Sequence, residues 1–389
     1  MSNGFEKLQS KSLLRLNHNH VKSEIYFNPT VKETRVNGIS LNERMNAQTT
    51  IPLGFVEKMK AQNKPIVLIP SPPPKDRPSV FETSLSDIAD VHYVPPSNKE
   101  EFEKTLKEAE AMVVWGITGE ELLSKAPKLK VVSRTGVGYD SIDVEACTRH
   151  GVYATITPGV VSNAVAELTI ALMLSLSRKI ILCDKFARTE WAKPNMRMPP
   201  MGTDLAGKTL GIIGLGRIGY EVAARAKAFK MNLIYYDKVR NVKVEKELGI
   251  QHTDFESLLA TSDFVTVHVP LTHKTTHMIG EKELKLMKKT AYLINTSRGS
   301  VIDEKVLCKA LEEGWIAGAG LDVYEKEPLP LESPLTRSEN TVLTPHTATN
   351  TNETRHQMAL SVAESIREVL TGKAPSNTVP EQRGKVFKK

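Results

Sequence analysis

Cysteine is scarce in this chain: its 389 residues include three, Cys147, Cys183 and Cys308, widely separated and odd in number. A disulfide framework needs pairs, so free thiols in a reducing compartment are expected, each sulfur acting as a small apolar packing group. Long apolar runs are missing too. No stretch approaches the roughly 18 consecutive apolar residues that cross a bilayer. The opening Met1-Ser2-Asn3-Gly4-Phe5-Glu6-Lys7 also lacks the apolar segment of a secretory leader. No membrane partner is expected, and a cytoplasmic location is. The formal charge of +7 decides little. Part of the excess lies near the N-terminus and part in Arg383, Lys385, Lys388 and Lys389, which read as a solvated end rather than a nucleic-acid surface.

What is present is the composition of a globular protein, 40% hydrophobic and 25% charged, in a chain long enough for two cores. Residues 1–63 are polar and carry no motif, and they are left as an unassigned arm. From Pro65-Ile66-Val67-Leu68-Ile69-Pro70 onward, apolar runs alternate with helical spacing: a helix over 100–111, a strand at Met112-Val113-Val114-Trp115, another at Leu129-Lys130-Val131-Val132-Ser133. Such alternation predicts α/β architecture, a parallel sheet with helices on its faces. A long helix is expected from Asn163 to Arg188, apolar nearly all round in its first half and so buried between domains or subunits. A Pro- and Met-rich loop, Pro194 to Met201, follows. A second alternating block then runs from Lys208 to Leu343, and a closing helix from Glu353 to Leu370. The expected division is a first domain at 64–162, an inserted domain at 163–345, a return to the first at 346–372 and a basic tail at 373–389.

The most informative stretch is Leu210-Gly211-Ile212-Ile213-Gly214-Leu215-Gly216-Arg217-Ile218-Gly219. A buried strand enters G-x-G-x-x-G, a helix follows, and a second strand ends at Asp237. Gly214 permits the tight turn, Gly216 lets backbone approach a pyrophosphate, and Gly219 allows close helix–strand packing. Free N–H groups at the helix start face the phosphates. Asp237 is placed to bond the adenosine ribose hydroxyls, and its charge opposes a 2′-phosphate, which favours NAD over NADP. Lys238 and Arg240 follow it directly.

Three downstream segments each end an expected strand: Asn295 to Gly299, Asp322 to Pro328, and Leu343 to His346. In a doubly wound sheet such ends converge on the ligand crevice. They supply a guanidinium, carboxylates and an imidazole, the groups that hydride transfer to a 2-oxo acid requires. A guanidinium holds the substrate carboxylate and polarises the carbonyl; an imidazole delivers the proton; a carboxylate beside an imidazole favours its charged form. No metal is called for.

These segments, with Gly136-Val137-Gly138-Tyr139-Asp140-Ser141-Ile142-Asp143, Thr157-Pro158-Gly159 and Val267-His268-Val269-Pro270-Leu271-Thr272, resemble the signatures of the D-2-hydroxyacid dehydrogenase family. The resemblance covers residues 65 to 372. It implies two Rossmann-like doubly wound domains, the NAD-binding one inserted into a discontinuous flavodoxin-like substrate domain. It implies Arg298 as the substrate-polarising group, His346 as acid/base and Glu327 as its partner. Asp322 would hold the nicotinamide carboxamide, and Arg217, Ile218, Val269, Pro270 and Thr296 would join the glycines and Asp237 around the cofactor. Backbone N–H groups near Val137 and Gly138 would hold the substrate carboxylate, and a homodimer is implied. Trp115-Gly116-Ile117-Thr118 stands where phosphoglycerate enzymes carry arginine, so the resemblance leans toward glyoxylate/hydroxypyruvate reductases, with a phosphoglycerate dehydrogenase as the alternative. Formate dehydrogenases carry glutamine where Glu327 stands. The family also contains NAD(H)-binding co-repressors that keep the Arg/Glu/His set, a non-enzymatic alternative.

Overall fold

The computed structural model describes residues 12–18, 21–27, 35–36, 39–40, 64–75, 78–193, 198–385 and 387. The chain divides into two units, Met1–Lys64 and Pro65–Lys389. In the first, strands β1 (Ser12–His18), β2 (Val21–Phe27), β3 (Arg35–Val36) and β4 (Ile39–Ser40) form one antiparallel sheet in chain order. The alternation Val21, Ser23, Ile25, Phe27 against Lys22 and Glu24 is the period-two signal that the reading of this segment as an unassigned arm passed over. The rest of that arm lies outside the described residues.

In the second unit, β5 (Ile66–Ile69), β6 (Asp90–Tyr93), β7 (Ala109–Val114), β8 (Val131–Arg134) and β9 (Tyr153–Thr155) form a parallel sheet in the order β6-β5-β7-β8-β9. That is the flavodoxin-like order. Its two faces are dry. Leu68, Met112, Val114 and Val132 pack on one side with Leu106, Leu123 and Cys147. Val67, Ile69, Val113 and Val131 pack on the other with Val362, Ile366 and Val369 of the helix Asn352–Leu370. The chain therefore returns to its first sheet at the end.

Between these visits lies a seven-stranded parallel sheet: β10 (Thr209–Ile213), β11 (Asn232–Tyr236), β12 (Gln251–His252), β13 (Phe264–Val267), β14 (Tyr292–Asn295), β15 (Gly318–Leu321) and β16 (Thr341–Leu343), in the order β12-β11-β10-β13-β14-β15-β16. The strand runs are apolar at consecutive positions because both faces are covered. Leu210, Ile212, Phe264 and Ile294 meet Ile170, Met173 and Leu176 of the helix Ser162–Ser177, while Ile213, Val265, Leu293 and Ala319 meet Leu258, Leu284 and Leu307.

The helix expected over 163–188 is two helices, Ser162–Ser177 and Ile180–Thr189. The break is Lys179, whose backbone is left-handed at φ 54°. Just beyond, Thr203 N–H donates to Ser177 O at 2.7 Å. An apolar pattern continued through the break, so periodicity alone could not find it. Of the loop Pro194 to Met201, residues 194–197 lie outside the description. Arg383 and Lys385 are exposed, as expected of the basic end, but the segment just before them is docked on the five-stranded sheet. Thr378 bridges to Thr155, Gln382 Oε1 accepts from Ala154 N–H at 2.8 Å, and Val379 and Gln382 are fully buried. Edge strand β9 offers unpaired backbone groups there, and Val379 and Phe387 add apolar contacts to the same two faces of the sheet. Lys388 and Lys389 lie outside the described residues.

Candidate active site

The first βα turn of the seven-stranded sheet is built for close approach. Gly214 has φ 94°, and a Cβ there would lie 2.8 Å from His268 O. A Cβ on Gly219 would lie 2.2 Å from Gly214 O, so the helix Arg217–Ala228 can start against the turn only with glycine at that position. At Gly216 a Cβ would meet nothing, because the residue borders an open cleft lined also by Leu215, Arg217, Tyr220, Asn241 and Val244. Tyr220 N–H bonds back to Gly216 O at 2.9 Å. The N–H groups of Arg217, Ile218 and Gly219 precede it and have no partner within the helix. Arg217 is exposed and Ile218 half-buried beside them. Asp237, just past β11, accepts Leu215 N–H on Oδ2 at 2.8 Å. Its Oδ1 accepts no hydrogen bond among the described residues, which leaves it for a ribose hydroxyl. Glycine cradle, helix start and free carboxylate oxygen together fit a dinucleotide.

Across the same sheet edge, β13, β14, β15 and β16 deliver their loops side by side. Val269 packs against the core and Pro270 is exposed, its carbonyl accepting the Thr275 hydroxyl at 2.6 Å. The Thr296 hydroxyl is shared with Thr169 at 2.9 Å, tying the loop after β14 to the helix Ser162–Ser177. Asp322 is fully buried. Its Oδ1 accepts Thr344 Oγ1 at 2.6 Å and Thr347 N–H at 2.8 Å, and its Oδ2 accepts Ala348 N–H at 3.0 Å. Asp322 O accepts His346 N–H at 2.8 Å. The aspartate thus holds the turn on which His346 adopts a left-handed φ of 52°.

His346 Nδ1 and Glu327 Oε2 are 2.7 Å apart, and Glu327 Oε1 accepts Tyr324 N–H at 3.1 Å. Burial pushes the Glu327 carboxyl up, but the bonds from His346 and Tyr324 and the charges of His346 and Arg298 outweigh it and hold it below its ordinary value. An ionised carboxylate only accepts, so Nδ1 carries the hydrogen toward it and Nε2 is left for a ligand. The imidazole is about half exposed, and its Nε2 has no partner among the described residues.

Arg298 Nε donates to Asp140 Oδ1 at 2.8 Å and Nη1 donates to Ser297 O at 2.8 Å. Nη2 lies over Gly138, where a Cβ would sit 1.4 Å from it. Val137, the other residue expected at the substrate carboxylate, is half-buried against Val161 and Val165. Burial pushes the Asp140 carboxyl up, yet Arg298's charge and hydrogen bond, with help from Arg134, bring it below its ordinary value. Arg134 itself donates to Trp115 O at 2.8 Å and Ser141 Oγ at 2.9 Å. Neither Asp140 nor Arg134 was singled out by sequence reasoning. Asp140 stands 158 residues from Arg298, a pairing that no local spacing announces.

Comparisons with known proteins give the family. Residues 170–348 match the D-isomer specific 2-hydroxyacid dehydrogenase NAD binding domain. A glyoxylate reductase of Korarchaeum cryptofilum is 47% identical over 295 residues, 75% of this chain and 89% of the relative. The chain belongs to the D-isomer-specific 2-hydroxyacid dehydrogenase family. It is an NAD-dependent oxidoreductase with the two-sheet α/β fold of that family. The crystal structure of a glyoxylate reductase from Paecilomyes thermophila superposes with a TM-score of 0.74 at 35% identity, over 82% of this chain and 99% of that one. An NADPH-dependent glyoxylate/hydroxypyruvate reductase from Sinorhizobium meliloti, in complex with NADP and malonate, gives 0.74 at 28% identity over 84% and 99%. Among the described residues no helix is long and apolar enough to cross a membrane.

Proposed function

We propose that this chain reduces a small unphosphorylated 2-oxo acid, glyoxylate or hydroxypyruvate, to the D-2-hydroxy acid. The observation that carries the reading is the pairing of His346 with ionised Glu327 on the same sheet edge as Arg298, whose guanidinium lies over Gly138. When bound, NADH supplies the hydride. The N–H groups at Val137 and Gly138 take the substrate carboxylate, and the free edge of Arg298 polarises the carbonyl. His346 gives its Nε2 proton to the developing alkoxide, and Glu327 stabilises the imidazolium before transfer. Gly214, Gly216, Arg217, Ile218, Gly219 and Asp237 hold the pyrophosphate and adenosine. Val269, Pro270, Thr296 and Asp322 border the nicotinamide. Trp115 and Ile117, exposed and uncharged, suit a short substrate without phosphate.

The glyoxylate reductases among its relatives support that substrate class. NADH oxidation with a panel of 2-oxo acids tests it. Turnover of glyoxylate or hydroxypyruvate well above that of 3-phosphohydroxypyruvate is the expected result. Tight NADH binding without turnover of any acid would instead favour a dinucleotide-sensing binding protein.

The division into 64–162, 163–345 and 346–372 is part of the same proposal, as are a cytoplasmic location and a homodimer. The helix Ile180–Thr189 buries none of its side chains within the chain, and Ile180, Ile181, Trp191, Met198 and Met201 are exposed. An apolar surface of that extent suits a second copy. Sedimentation equilibrium at the monomer mass would overturn the dimer.

A further inference from the structure

The cofactor site contains a cation that it holds back. Arg240 lies three residues past Asp237, in the turn leading to Asn241 and Val244, which line the cleft beside Gly216. In a dinucleotide fold an arginine near that acid is what accommodates a 2′-phosphate. Here its guanidinium is bidentate on Glu245, Nε to Oε1 at 2.8 Å and Nη2 to Oε2 at 2.8 Å. Glu245 is itself fixed. It belongs to the helix Val242–Leu248, its side chain is only 12% exposed, and the Tyr235 hydroxyl donates to Oε1 at 2.7 Å. The same hydroxyl accepts Asn241 N–H at 2.8 Å, which ties the turn down. A bidentate pair of this kind is oriented as well as attractive. The other cation of the turn, Lys238, is exposed.

We propose that Glu245 is a cofactor-specificity residue: by clamping Arg240 it withholds the guanidinium from the adenosine 2′ position, so that NADP is refused by a withheld cation as well as by the charge of Asp237. The proposal rests on the cofactor reading above. It means that the chain carries the components of an NADP site in a latched form, and that removing Asp237 alone opens it only in part.

The test is a binding cycle that needs no turnover. Calorimetry with adenosine 2′,5′-bisphosphate and with AMP gives the 2′-phosphate preference of the unaltered chain, Asp237→Ser, Glu245→Gln and the double variant. Glutamine keeps an acceptor for Tyr235, so the fold is preserved. The double variant should gain about tenfold in that preference over Asp237→Ser, the worth of one charge-assisted hydrogen bond to phosphate. Adding Arg240→Ala, a change at an exposed position, should erase the gain, and adding Lys238→Ala should not. No gain in the double variant overturns the proposal, as does a gain that survives Arg240→Ala and vanishes with Lys238→Ala. NADH fluorescence titration of the unaltered chain separates the two readings. Normal NADH binding with a flat cycle sinks the Glu245 role alone, whereas failure to bind either NADH or NADPH sinks the cofactor site and the proposal together.

Discussion

Arg298 in the loop after β14 of the seven-stranded sheet and Asp140 in the loop after β8 of the five-stranded one share a 2.8 Å bond from Nε to Oδ1. That bond fixes which edge of the guanidinium is left for substrate: Nε and Nη1 are engaged, and Nη2 is over Gly138. Asp140→Asn keeps the shape but loses the charge. A fall in kcat/KM of about tenfold is expected, with NADH affinity unchanged. Arg298→Lys, which removes the planar fork, should cost more, roughly a hundredfold. Steady-state kinetics with NADH titrations check both, and equal kcat/KM for Asp140→Asn and the unaltered chain would remove Asp140 from the site.

His346→Ala should lose kcat by roughly 10²–10⁴-fold, the usual share of general acid catalysis. NADH should still bind, because the imidazole is not part of the glycine cradle. Near-normal kcat in the variant would show that another group gives the proton.

Two glycines make opposite predictions. At Gly138 an added Cβ meets only the flexible end of Arg298, so Gly138→Ala should keep its melting temperature while kcat/KM collapses. At Gly299 the Cβ would fall 1.9 Å from the carbonyl carbon of Tyr324, which is backbone. Gly299→Ala should therefore lose about 1–3 kcal/mol of stability and loosen the loop that carries Glu327. Thermal unfolding alongside kinetics distinguishes the two, and equal destabilisation would contradict this account.

The depressed Glu327 carboxyl gives a pH signature. A carboxyl lower in the folded than in the unfolded chain stabilises fully above its ordinary value of 4.5 and loses that contribution as pH falls through the folded value. The stability advantage of the native chain over Glu327→Gln should hold from neutrality to about pH 5 and shrink in more acid solution. Urea midpoints across that range measure it; an advantage that grows on acidification would reverse the assigned sign.

Much of the fold was legible because parallel strands buried on both faces write themselves as apolar runs, and the glycines at 214, 216 and 219 mark a turn that few other residues could make. The three loops bearing Arg298, Glu327 and His346 could be placed together because strand ends in such sheets converge. What could not be read depends on partners far apart in sequence or on backbone groups. The Arg298–Asp140 bond joins two sheets. The C-terminal segment at Gln382 is held by main-chain groups at the start of β9, its amide accepting from Ala154 N–H and donating to Val152 O. The break at Lys179 interrupts a pattern that stays apolar on both sides. Asp322 was expected at the nicotinamide, and its engagement with the His346 turn was invisible because it is made with the main-chain N–H groups of Thr347 and Ala348 and the hydroxyl of Thr344, more than twenty residues away.

That last engagement bears on how variants of this protein would be interpreted. Both oxygens of Asp322 are occupied by the residues on either side of His346, so the acid's position is dictated from the end of β15. Loss of Asp322 would imitate loss of His346 in every activity assay, although the imidazole would still be present. On the proposed mechanism, a screen that scores only turnover would count two essential residues where one gives the proton and the other, beside the nicotinamide, also sets the first one's position.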